Sequence, residues 1–197
     1  MTFIMFCCLR NCFQGFSFSS ASIPRKEINP IVLDSNYMGH EVVIVKNGHR
    51  ICGTGGALVS APLVQSKSYF EVKIQQSGIW GIGLATRNAD LNAAPGGHDS
   101  ESWVLCSDSS MKHAKEEIRK LPSTIQEGDV LGVSYDHIEL NYFLNGKSLN
   151  QPITGVRGNV YPVLFVDDGA ILDIVLDNFY HPMPMGFEKI MIEQSLL

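Results

Sequence analysis

The 197-residue sequence carries few charges (18%), no long apolar run, no clustered positive charge and almost no helical periodicity. Fifteen Lys and Arg against twenty Asp and Glu leave a net charge of −5. The basic pairs Arg25-Lys26 and Arg119-Lys120 stand isolated. A nucleic-acid binder needs Lys and Arg gathered on one face, so no nucleic-acid partner is expected. No window is apolar for long enough to cross a bilayer as a helix. The five cysteines, Cys7, Cys8, Cys12, Cys52 and Cys106, are odd in number and unevenly placed. That distribution does not make a disulfide framework, and no Asn-X-Ser/Thr sequon occurs. Both absences fit a reducing, cytoplasmic setting.

Catalytic and metal-binding signatures are also missing. Gly53-Thr54-Gly55-Gly56 lacks the helix or Lys-Ser/Thr pair that a phosphate cradle requires, and Pro62 interrupts the residues after it. It reads as a turn. The cysteines and the scattered histidines have no paired ligand spacing, so neither metal nor cofactor is expected. Ser60 and Cys106 have no nucleophile context. The reading is a protein that is not an enzyme.

The first residues, Thr2 to Leu9, are apolar but far too short to span a membrane. Their first charge, Arg10, comes after the apolar run, the reverse of a secretory signal, and Thr2 excludes N-myristoylation. Residues 1–23 read as a flexible Cys-rich tail, 24–190 as one domain and 191–197 as a C-terminal end. Cys7, Cys8 and Cys12 beside Phe3, Ile4, Phe6 and Phe13 have the character of S-acylation sites, which would place the protein at a membrane surface.

The body of the chain is a series of short strand-like runs separated by turns. Glu41–Lys46 is β-branched and meets Arg50–Cys52 across Asn47-Gly48, a two-residue hairpin signal. In Tyr69–Ile74, Phe70, Val72 and Ile74 share one face and Glu71 and Lys73 the other. Trp80–Ala85, Trp103–Cys106, Val130–Asp136, Ile138–Leu144, Val160–Val166 and Ile171–Phe179 read as further strands, and Asn145-Gly146 closes a second hairpin. Met111–Lys120 fits either one helical turn or a poorly formed hairpin. Many strands without crossover helices give an all-β, two-sheet antiparallel β-sandwich. Its buried rows come from Phe70, Val72, Ile74, Ile82, Leu84, Leu131, Val133, Leu140, Tyr142, Leu144, Val163 and Leu172.

Several of these pieces carry a family pattern. Tyr69-Phe70-Glu71-Val72, Trp80-Gly81-Ile82-Gly83, Glu127-Gly128-Asp129-Val130-Leu131-Gly132 with Asp136, Phe143-Leu144-Asn145-Gly146, and Tyr161-Pro162-Val163 stand in order along the chain. Together they resemble the SPRY (B30.2-type) domains, over roughly residues 30–180. The resemblance implies a concanavalin-like sandwich that binds a peptide or protein surface through loops at one end. In the SPRY domains of SOCS-box proteins, the strand beginning Tyr-Pro-Val leads into a Val-Trp-Gly that helps form the peptide pocket. Here the matching place is about Val166-Asp167-Asp168, with Asp where the aromatic would be.

The expected function is therefore a monomeric lone-domain adaptor that binds an unknown protein or peptide. The candidate contact residues are Val166, Asp167, Asp168, Asp136 and His137, within loops 55–62, 88–102, 136–137 and 166–169. Two adjacent carboxylates favour a basic or hydrogen-bond-donating partner. The alternative is a hydrolase-like or small-ligand sandwich using the Asp167-Asp168 turn. It would require a deep pocket joining those residues to His137.

Overall fold

A computed structural model describes residues 30–192 as strands and turns. The strands are β1 (Leu33–Met38), β2 (Glu41–Val45), β3 (Arg50–Val59), β4 (Ser68–Gln76), β5 (Ile79–Ala85), β6 (Ser102–Cys106), β7 (Ser110–His113) and β8 (Glu116–Lys120). After these come β9 (Val130–Tyr135), β10 (Glu139–Leu144), β11 (Lys147–Ser148), β12 (Ile153–Thr154), β13 (Tyr161–Asp167), β14 (Ile171–Val175) and β15 (Glu188–Lys189). One layer runs β1-β3-β13-β5-β6-β7-β8. The other runs β2-β3-β14-β4-β9-β10, with β11 and β12 on β10. All these pairs are antiparallel, and the short β15 adds to β4 in parallel. This is the expected two-layer sandwich.

β3 belongs to both layers. Its first half pairs with β2 and β14, and its second half with β1 and β13. The glycines of the crossing, expected as a turn, lie inside this strand. A Cβ on Gly53 would stand 2.2 Å from the Glu41 carbonyl oxygen, and one on Gly56 would stand 2.5 Å from the Phe165 ring. Glycine serves here both for close approach of backbone and for the positive φ of Gly53 (94°) and Gly55 (122°), while the ladder pairing of β3 continues on either side. For the same reason 55–59 is no contact loop: all five residues are buried.

The hairpins divide. Asn145-Gly146 makes the two-residue turn expected, both residues at positive φ and Leu144 opposite Lys147. Around Asn47-Gly48, Val45 pairs with Arg50, so the turn has four residues and not two. Met111–Lys120 resolves as the hairpin of β7 and β8.

Phe70, Val72, Ile74, Ile82, Leu84, Leu131, Val133, Leu140, Tyr142 and Leu172 fill the space between the layers, with Leu144 partly buried at its margin. Tyr142 bridges the layers, its hydroxyl donating to the Ile82 carbonyl oxygen at 3.0 Å. Val163 is buried elsewhere. With Leu58, Val104, Cys106 and Phe165 it forms a second cluster. Leu91 and Ala94, from the polar-looking segment between β5 and β6, pack onto that cluster. The Leu91 carbonyl accepts from Gly56 N at 2.7 Å, tying this segment to β3.

The face of Glu71 is covered too. Glu71 is fully buried, under the chain that leaves β14. It accepts hydrogen bonds from Tyr69 Oη (3.0 Å), Tyr180 N (2.6 Å) and His181 N (3.1 Å). A buried carboxylate requires such donors, and strict alternation in β4 does not disclose them.

Candidate functional site

The Asp167-Asp168 turn is built for its own geometry. Asp168 and Gly169 have φ of 47° and 77°, and Ala170 N closes the turn on the Asp167 carbonyl at 3.0 Å. Asp167 Oδ1 accepts from Thr54 Oγ1 at 3.0 Å and from Asp168 N at 2.8 Å. Gln76 Nε2 donates to the Gly169 carbonyl at 2.8 Å. Val166 is completely buried in the core. Of this trio only Asp168 presents its side chain freely to solvent.

Asp136 and His137 lie elsewhere. Tyr135 pairs with Ser68 at the start of β4, whereas Ile171 pairs with Gln76 at its end. At about 3.3 Å per residue, nine residues of strand separate the two turns by roughly 25 Å. Asp136 Oδ1 caps Ile138 N and Glu139 N at 3.1 and 2.8 Å, and His137 Nε2 is 2.9 Å from the Gln65 carbonyl. The five candidate residues therefore do not form one site, and none of them lines the three clefts described among residues 30–192. Cys7, Cys8 and Cys12 lie outside the described residues.

The end of the sandwich that carries Asp168 has its own chemistry. Ile79, paired with Asp167, is 39% exposed. Ser107 N bonds the Trp80 carbonyl at 2.9 Å and brings Asp108 alongside; Ser77 N bonds Glu127 Oε2 at 3.2 Å. Burial opposes ionisation of Asp108, but Ser110 and the Lys112 ammonium outweigh it and hold the carboxyl at about 2. Asp108, Glu127 and Asp168 are all exposed; Asp108 is paired with Lys112 at 3.1 Å, so Glu127 and Asp168 give this face its net negative charge beside Ile79.

At the other end of the same layer, a cleft of about 940 Å³ opens between the end of β5, the start of β6 and residues 154–159. Arg87, Trp103, His113, Arg157 and Tyr161 line it. Sequence patterning does not single out these residues, because Arg87 and Arg157 are isolated charges far apart in the chain. Their only local signal is an aromatic near the start of two strands, Trp103 in β6 and Tyr161 in β13. Among the described residues no group of three His, Cys, Asp or Glu is disposed to hold a metal ion.

Similarity to known proteins accounts for this frame. The model of the SPRY domain matches residues 67–179. The chain belongs to the SPRY domain family. SPRY domain-containing protein 7 of Bos taurus is 55% identical over 194 residues, covering 98% of this chain and 97% of that protein. The Homo sapiens protein of the same name is 55% identical over 192 residues, covering 96% of each. Among solved structures, the SPRY domain of human HERC1 superposes with a TM-score of 0.59 at 16% identity, over 73% of this chain and 96% of that one. The TRIM65 PSpry domain gives 0.59 at 14% identity, over 73% and 88%. At such identities the structures speak for the SPRY fold alone. The SPRY domain is in general a protein-interaction module, and its strands here act as a rigid frame for the loops.

Proposed function

We propose that this protein is a non-catalytic, cytoplasmic and monomeric adaptor. Its lone SPRY domain binds a protein or peptide through the acidic end face formed by Ile79, Asp108, Glu127 and Asp168. The observation that carries the reading is Ile79, 39% exposed opposite Asp167 in the ladder, with the exposed carboxylates of Asp168 and Glu127 on neighbouring turns. An apolar anchor inside an acidic rim suits a partner segment that is apolar and basic. Asp108 is paired with Lys112 at 3.1 Å, so Glu127 and Asp168 supply the unpaired negative charge of this face; Asp173, held by both Arg50 and Lys46, serves the fold. Affinity capture comparing wild type with Ile79→Asp plus Asp168→Lys tests the placement. Loss of the specifically recovered partners supports it, and an unchanged set overturns it.

Membrane association is the finer part of the proposal. S-acylation of Cys7, Cys8 and Cys12 would hold the domain at a membrane surface, a reading supported by three cysteines among Phe3, Ile4, Phe6 and Phe13. Each buried methylene adds roughly 0.8 kcal/mol, and more than one chain is needed for stable anchoring. Hydroxylamine-sensitive acyl exchange on wild type and on the triple Cys→Ser variant tests it. Absence of labelled thioester in wild type removes the idea.

A further inference from the structure

The cleft at the end opposite the acidic face has the reverse character. Arg87 sits with its guanidinium 4.3 Å from the Tyr37 ring centroid and 5.0 Å from that of Tyr161. Its Nη1 donates to Tyr37 Oη at 3.1 Å. Stacking thus fixes the plane of the guanidinium while its other N–H groups meet no acceptor among the described residues. Arg157, exposed on the 154–159 loop, makes no ion pair or hydrogen bond with the described residues. Neither arginine meets a carboxylate there, whereas Arg50, Lys46, Lys112 and Lys189 all do.

The floor of the cleft is aromatic and rigid. The His113 ring lies on Trp103 at 4.5 Å with an interplanar angle of 11°. His113 Nδ1 is 2.9 Å from the Ser102 carbonyl, which can only accept, so Nδ1 carries the proton and Nε2 is left for a ligand. Ile118 adds an apolar wall. One carboxylate, Glu101, also lines the cleft, but Oε2 is engaged by Thr86 Oγ1 at 2.5 Å and Oε1 lies 3.5 Å from Ser100 Oγ. Two unpaired guanidinium groups against one hydrogen-bonded carboxylate leave the cleft net positive.

We propose that this cleft is a second binding site, distinct from the acidic end face, and that it takes an acidic peptide segment. Carboxylates of an Asp or Glu side chain meet Arg87 and Arg157, and a neighbouring apolar residue rests on the Trp103–His113 floor and Ile118. Charge complementarity selects an anion, and fork-shaped guanidinium groups match carboxylate oxygens two at a time. A long polyanion is disfavoured by the net charge of −5 on the whole chain. With the acidic face at one end and this cleft at the other, the domain can hold two partners of opposite charge at once.

The test is a random heptapeptide display library selected on the full chain, then fluorescence polarisation with the enriched peptides. The expected consensus has Asp or Glu beside an apolar residue. Arg157→Glu should weaken binding at least about tenfold, since a charge-assisted hydrogen bond is lost and repulsion added. Arg157 touches no other described side chain through a hydrogen bond or ion pair, so this variant keeps the fold; Arg87→Ala should show a similar loss. Ile79→Asp plus Asp168→Lys should leave these peptides bound. Enrichment without acidic residues, no enrichment at all, or affinity unchanged in Arg157→Glu overturns the proposal. So does binding seen only when a serine in the peptide is phosphorylated, or a preference for a single-stranded oligonucleotide. Peptides rich in Lys and Arg that are lost only with the end-face variant would support the acidic-face reading and overturn this one.

Discussion

Glu71 Oε2 accepts the backbone N–H of Tyr180 at 2.6 Å, a bond between the middle of β4 and the chain 109 residues further on. With the His181 N–H and the Tyr69 hydroxyl on the other oxygen, one buried carboxylate fastens the C-terminal segment to the sheet. Tyr69 is itself pushed above the ordinary phenol range, first by burial and then by the charge of Glu71. Glu71→Ala removes the acceptor of one buried and two part-buried donors and should cost about 2–4 kcal/mol, read from urea unfolding midpoints. Amide exchange at Tyr180 and His181 should rise by more than that at the centre of β9.

Asp173 should govern part of the acid stability. Burial opposes its charge, but Arg50 (Nε–Oδ1 2.5 Å, Nη2–Oδ2 2.9 Å) and Lys46 (3.0 Å) hold its carboxyl below the usual range. A folded value below the unfolded value of ~3.9 means that the stabilisation is complete above that pH. It is lost as pH falls through the lower folded value. Asp173→Asn should destabilise by roughly 1–2 kcal/mol at pH 7 and flatten the loss of stability on acidification below ~pH 4, measured by urea titration at several pH values.

Gly81→Ala should be among the costly single-methyl additions. Its Cβ would stand 1.8 Å from the Pro95 carbonyl oxygen, a backbone atom that cannot rotate away. About 2–4 kcal/mol of destabilisation is expected, seen as a lowered Tm. Gly128→Ala, with nothing within 4 Å but a φ of 90°, should cost less, through backbone strain alone.

The two cysteines of the domain should differ in reactivity. Burial pushes the Cys106 thiol up to about 12, whereas Cys52 is only half-buried. In a variant with Cys7, Cys8 and Cys12 replaced by Ser, a disulfide-exchange reagent at pH 8 should label Cys52 alone in the native state. Cys106 should label only as urea unfolds the domain.

The strands are legible in the sequence because alternation marks a surface with one dry face, as in Phe70, Val72 and Ile74. The interlayer core is legible for the same reason, and Asn145-Gly146 through its demand for positive φ. The glycines of β3 read as a turn because composition does not separate a turn from a backbone crossing. Glu71 and Val163 show the limit of alternation. When a later segment covers the outer face, polar and apolar residues there are buried alike, and the covering partner lies far along the chain. Site placement suffers most. Two turns that look equivalent in sequence, 136–137 and 167–168, fall at opposite ends of β4, and the Arg87–Arg157 cleft exists only once β5, β6 and β13 stand side by side.

Because β3 serves both layers, neither half of the sandwich has a complete set of neighbours without it. Cutting the chain between Cys52 and Ala57 would leave two fragments that each expose a broad dry face and a raw sheet edge. Loss of order should therefore sweep through the whole domain as one event, with no half-folded form long enough lived to be isolated.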